Sequence, residues 1–144
     1  MFKSILMPTD GSELSLRAVK QGILMAKFCG ARAIAMTVQP PLTDFLVEGV
    51  TITVSDADRR SVREEFTHRL DAARAEAQAQ GVELELHQVE HREPWRAIIE
   101  LAKTEGCDLI VMASHGRRGV SALLIGSETQ KLLTHSSIPV LVYR

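Results

Sequence analysis

The sequence predicts a doubly wound α/β fold: a five-stranded parallel sheet in the order 3-2-1-4-5, with helices on both faces. Three observations predict it. Short apolar runs alternate with longer amphipathic stretches as β-α-β-α-β-α-β-α-β, and parallel strands need such crossovers. Leu109-Ile110-Val111-Met112-Ala113 is apolar throughout, which marks a strand covered on both faces. The segments after Met7 and after Met112 carry glycine, hydroxyl and charged residues, at the strand ends where an open α/β sheet holds its ligand. The chain has 144 residues, 45 % hydrophobic and 24 % charged, enough to bury a core. No internal repeat or linker divides it, so 1–144 is expected to be one domain.

Phe2 to Met7 reads as a buried strand stopped by Pro8-Thr9-Asp10-Gly11. Ser12 or Asp10 caps a helix running to about Phe28, and Gly30 stops it. Ala33 to Val38 is the second strand, closed by Gln39-Pro40-Pro41. From Leu42 to Ser55 the pattern is an irregular excursion. Its Phe45, Leu46, Val47, Val50 and Ile52 are too apolar for a free loop and suit a lid over the ligand crevice or a partner contact. Asp56 caps a long helix in which Val62, Phe66, Leu70, Ala73 and Ala77 follow at helical spacing. Arg59, Arg63, Glu64, Arg69 and Glu76 form its solvated face, and Gly81 ends it.

Val82 to Val89 alternates apolar and polar, as a strand near a sheet edge does. Pro94 opens the next helix, whose buried stripe is Trp95, Ile98, Ile99 and Ala102; Gly106 stops it. After the strand Leu109 to Ala113 comes a glycine-rich segment, then a helix from about Ser127 to His135. The last strand is Ile138 to Tyr143.

Several function classes are excluded early. A net charge of −1 offers no basic field for nucleic acid. No apolar run approaches the ~20 residues that span a bilayer. The opening apolar stretch meets Pro8 and Asp10 too soon for a signal peptide, so a cytoplasmic location is expected. Cys29 and Cys107 have neither a CxxC nor a zinc spacing and read as reduced structural residues. His87-Gln88-Val89-Glu90-His91 matches an HxxEH string, but on a strand its histidines stand ~13 Å apart at ~3.3 Å per residue and cannot share a metal. His68 and His135 read as helix-surface residues.

In the order 3-2-1-4-5 the first and fourth strands are neighbours at the switch point, and their ends face one crevice. Pro8-Thr9-Asp10 would form one wall and Met112-Ala113-Ser114-His115-Gly116-Arg117-Arg118-Gly119 the other, with Val38 at the second strand's end beside them. GxGxxG, GxxxxGK[ST] and GxSxG are all missing, which removes the dinucleotide fingerprint, the P-loop and the hydrolase elbow. A phosphate cradle would instead use backbone N–H groups of Gly116 to Gly119 and of Gly126-Ser127 at a helix N-terminus. Ser127 could cap that helix and donate its hydroxyl to an oxygen. His115 could touch phosphate, and Arg117 and Arg118 could screen its outermost charge.

The whole chain, from Ile5-Leu6-Met7-Pro8-Thr9-Asp10-Gly11-Ser12 to Ile138-Pro139-Val140-Leu141-Val142-Tyr143, resembles the universal stress proteins. Their ATP-binding members carry G-x2-G-x9-G-[S/T]. Here the pattern reads Ala113-x2-Gly116-x9-Gly126-Ser127, with alanine at the first position. The resemblance implies a Rossmann-like nucleotide-binding fold in which Pro8, Thr9 and Asp10 border the adenosine and Val38 lies against adenine. It implies that Gly116, Gly126 and Ser127 hold the phosphates beside Met112 and Ala113, with Glu128 and Thr129 next in line. The expected ligand is ATP, ADP or AMP, with magnesium carried by the nucleotide and Asp10 its one candidate partner. A homodimer through Val140 to Tyr143 is also implied, and an apolar edge strand of that kind needs cover.

Three functions remain at this point. The first is a stress-response protein that signals through bound nucleotide or dimer state. The second is a slow ATPase or self-phosphorylating enzyme, with Ser114, Ser121 or Thr129 as acceptor and His115 the one evident base. The third is a member that binds no nucleotide and works through protein contacts.

Overall fold

A computed structural model describes residues 1–116 and 125–144. The elements in chain order are β1 (Ser4–Pro8), α1 (Glu13–Cys29), β2 (Arg32–Gln39), β3 (Phe45–Val47), β4 (Val50–Ile52), α2 (Asp56–Gln80), β5 (Leu84–Glu90), α3 (Pro94–Thr104), β6 (Leu109–Ala113), α4 (Ser127–His135) and β7 (Val140–Tyr143). Five strands form one parallel sheet in the order β5-β2-β1-β6-β7, and β3 pairs with β4 alone. With the hairpin set aside, this is the predicted order 3-2-1-4-5.

Side-chain alternation on the inner strands splits the core into two layers. Ile5, Met7, Ala33, Ala35, Leu109 and Val111 face one way and meet Val19 and Ile23 of α1 and Leu70 and Ala73 of α2. Leu6, Ile34, Met36, Ile110 and Met112 face the other way, against Ala97, Ile98 and Ile99 of α3 and Leu132 of α4. A strand buried on both faces cannot carry a polar side, which is why β1 and β6 are wholly buried runs. β5 has one wetter face and lies at the edge. Asp108 ties the starts of β1 and β6 together by accepting the N–H groups of Lys3 and Ser4. Burial opposes its charge, but those N–H donors outweigh it and hold its pKa below the usual carboxylate value.

Several local expectations shift. Ser55, not Asp56, caps α2: its side chain accepts the Asp58 N–H at 3.1 Å. Asp56 is the helix's first residue, where its charge suits the helix dipole. The first helix is capped by Ser12, whose side chain accepts the Ser15 N–H. Residues 42–55 contain the β3–β4 hairpin, anchored by Arg59, which donates to the Leu42 carbonyl at 2.7 Å. The five large apolar residues of this hairpin are exposed. Cys29 and Cys107 are both free; burial pushes the Cys107 thiol pKa up and keeps it protonated.

Gly22 shows how closely α1 lies on the sheet. A Cβ there would collide with Met7 Sδ and stand 2.6 Å from Met7 Cγ, and Met7 is fully buried. Alanine would gain about 1 kcal/mol of helix propensity, while overpacking costs about 1–3 kcal/mol. Gly22→Ala should therefore lower the unfolding free energy by about 1 kcal/mol in urea denaturation; a stabilised variant would show that Met7 yields without cost.

Candidate functional site

A crevice of about 1010 Å³ opens beyond the carboxyl ends of β1, β2 and β6, where strand order reverses. Pro8, Thr9, Asp10, Val38, Met112, Ala113, His115, Gly116, Gly126, Ser127, Glu128 and Thr129, all nominated from the sequence, line it, whereas Ser114 is buried beside it. Arg117 and Arg118 lie outside the described residues.

The β1 wall is a hydrogen-bonded turn. Thr9 donates its N–H to the Met36 carbonyl at 2.8 Å, and its hydroxyl pairs with Ser15 Oγ at 2.9 Å. Asp10 Oδ1 accepts the Ser12 N–H at 3.0 Å, which folds the carboxylate back toward the start of α1. Its other oxygen abuts Gly116, where any Cβ would collide with Oδ2. Glycine at 116 is what lets the β1 and β6 walls meet.

On the β6 wall, Ala113 continues the strand opposite Tyr143. Among the described residues Glu48 is the one non-glycine with positive φ, so position 113 asks nothing of glycine's conformational freedom. The chain then doubles back: the Gly126 N–H donates to the Ser114 carbonyl at 2.7 Å. A Cβ on Gly126 would stand 3.3 Å from His115 Cα and 3.4 Å from the Ser114 oxygen, tighter than side chains normally tolerate. His115 Nδ1 lies 3.1 Å from Ser114 Oγ.

Gly126, not Ser127, is the N-cap of α4, and among the described residues no side chain caps this helix. Ser127 is its first residue. The N–H groups of a first helical turn lack acceptors within the helix, and among the described residues no side chain caps them, so they front the crevice with the positive end of the dipole. Two residues fix that turn in place. Thr129, buried, donates its hydroxyl to the Ala113 carbonyl at 3.0 Å. Glu128 accepts the Trp95 N–H at 3.0 Å and meets Lys131 at 3.3 Å. It thereby caps α3, whose own N-cap residue Glu93 makes no side-chain cap bond.

The crevice also draws residues that sequence reasoning left elsewhere, among them Ser15, Phe66, Arg69, His91, Arg92 and Ile98. Arg69 was expected on the solvated face of α2, but its side chain is only 15 % exposed. It stands three residues beyond Phe66, a separation that puts both on one flank of a helix; that spacing was the available signal. His91 joins the crevice rather than a metal site, and its Nδ1 accepts the Glu93 N–H at 2.9 Å. His87, on strand β5, groups with Glu85 and Glu105 instead. Arg32 donates to both of those carboxylates, and the hydrogen bonds to it hold the Glu85 pKa below its usual value.

This crevice, on this strand order, can be set beside known proteins. The universal stress protein family model matches residues 1–144. The chain belongs to the universal stress protein family. A universal stress protein of Thermus aquaticus is 34 % identical over 145 residues, covering all of both chains. Universal stress protein MJ0531 of Methanocaldococcus jannaschii is 32 % identical, over all of this chain and 83 % of its own length. A crystal structure of a universal stress protein in complex with cAMP superposes with a TM-score of 0.76 at 24 % identity, covering 99 % of this chain and 97 % of that one. At that identity the likeness shows the fold. Among the described residues of this universal stress protein, no helix is long and apolar enough to cross a membrane.

The Glu128 cap yields a test. Glu128→Ala should lower stability by about 1 kcal/mol in chemical denaturation, and Glu128→Gln, which keeps an acceptor oxygen, should lose less. Equal losses would assign the effect to charge instead.

Proposed function

We propose that this universal stress protein binds an adenine nucleotide in the crevice and signals through its bound state. The observation that carries this reading is the α4 N-terminus: a first turn with no side-chain cap among the described residues, preceded by a glycine whose missing side chain lets the chain close against Ser114 and His115. Phosphate oxygens suit such a turn. The Ala113-x2-Gly116-x9-Gly126-Ser127 spacing of ATP-binding relatives falls on the same wall. In this reading Gly116, Gly126 and Ser127 take the phosphates, with His115, Arg117 and Arg118 near the outer charge. Pro8, Thr9 and Asp10 border the adenosine, and Val38 offers an apolar face to adenine. Asp10 is the candidate partner of a nucleotide-borne magnesium ion. Thr129 and Glu128 act by holding the cradle, since their side chains already bond Ala113 and Trp95. A family member of the same fold has been solved with cAMP, which supports the ligand class.

We also propose a cytoplasmic homodimer through β7. This strand ends the sheet, its four residues are half-buried, and β6 is its one neighbour in the sheet order. An apolar edge of that kind is a template for a second strand.

Calorimetric titration tests the binding. The folded protein should give saturable heat with ATP and AMP, and Gly126→Val should weaken binding at least about tenfold by pushing the first turn of α4 away from Ser114 and His115. No heat from the folded protein would overturn the reading. For the dimer, light scattering should return twice the 15.9 kDa chain mass, and a monomeric mass at micromolar concentration would overturn it.

A further inference from the structure

The crevice has a second polar feature, at the end away from α4. The Arg69 guanidinium lies over the Phe66 ring, with Cζ 3.8 Å from its centroid. Nη2 donates to Glu65 Oε1 at 2.8 Å, and that carboxylate side chain is 56 % exposed. Nε is buried and meets no acceptor among the described residues. A guanidinium presents five N–H donors in a rigid plane and accepts nothing. A buried donor without an acceptor asks for an explanation, and a ligand is one. Thr37 Oγ1 is a second buried polar atom without a partner among the described residues; it shares the face of β2 that carries Ala33 and Ala35, toward the α1–α2 layer.

Position decides which part of a ligand would meet Arg69. α2 packs on β2 and β5, whereas the cradle follows β6, and β1 stands between. Two strand spacings of ~4.8 Å put them roughly 10 Å apart along the sheet, with α2 and α4 on its opposite faces, so Arg69 lies at the far end of the crevice from the phosphate cradle. Val38 and Phe66 line the same crevice and supply apolar surface for a flat ring. We propose that Arg69 is a specificity-determining residue at the base end, donating to an acceptor edge of the purine. The inference rests on the nucleotide reading above and assigns Arg69 to the base rather than to phosphate.

The test is calorimetry with ATP and with AMP on wild type, Arg69→Ala and Arg69→Lys, at about 0.05 and about 0.5 M NaCl. Arg69→Ala should weaken both nucleotides about tenfold, by the same factor, because both carry the base, and equally at both salts. Arg69→Lys should recover little, since a single ammonium does not reproduce the planar fork. A loss confined to ATP would move the contact to the outer phosphates and overturn the proposal. So would a loss that disappears at high salt, full recovery by lysine, or no loss at all. If Arg69→Ala unfolds, Arg69→Gln keeps a planar N–H donor and should weaken both nucleotides less than tenfold; affinity equal to wild type would overturn the proposal. A wild type that binds neither nucleotide overturns the nucleotide reading itself, and this assignment falls with it.

Discussion

Burial of β1, β2 and β6 on both faces is the constraint from which the rest of this structure follows. A parallel strand between two helical layers must alternate its side chains into two separate cores. Ile5 and Met7 serve one layer and Leu6 the other. Once three neighbouring strands are committed in this way, α1 and α2 take one face and α3 and α4 the other. Chain direction then reverses its progress across the sheet between β1 and β6, and the loops leaving those strands part over a gap. The crevice is a geometric result of the layers.

What turns that gap into a candidate site is backbone proximity. Gly116 lets the β6 wall reach Asp10, and Gly126 lets the returning chain lie against Ser114 and His115. Neither role is filled by a reactive side chain. Thr129 and Glu128 work at one remove, tying the first turn of α4 to β6 and to α3. A cradle of main-chain N–H groups, as proposed for this turn, places few demands on individual side chains beyond smallness.

Much of this was legible in the residues. The continuous apolar run Leu109 to Ala113 implied a strand buried on both faces, and alternation in 84–89 implied an edge. The glycine spacing marked the β6 wall. The less legible parts share a cause. Ser127 looked like a cap because serine favours that position, yet the turn back to Ser114 puts Gly126 there. Arg69 looked like a surface charge because arginine usually is one; its distance from Phe66 along the helix was visible, but the ring beneath it was not. Glu128 could be placed near the cradle from the motif, but its bond to Trp95 crosses between two helices.

The sequence by itself determined the layer architecture, the strand order and the wall where glycine clusters, because periodicity and small-residue spacing act over a few neighbouring residues. Tertiary structure alone decided which polar groups are already spent and which remain without acceptors. The Asp10–Gly116 approach, the Thr129 and Glu128 anchors and the buried Arg69 Nε each depend on groups brought together from distant parts of the chain. No local pattern encodes a distance between strands that meet only after folding.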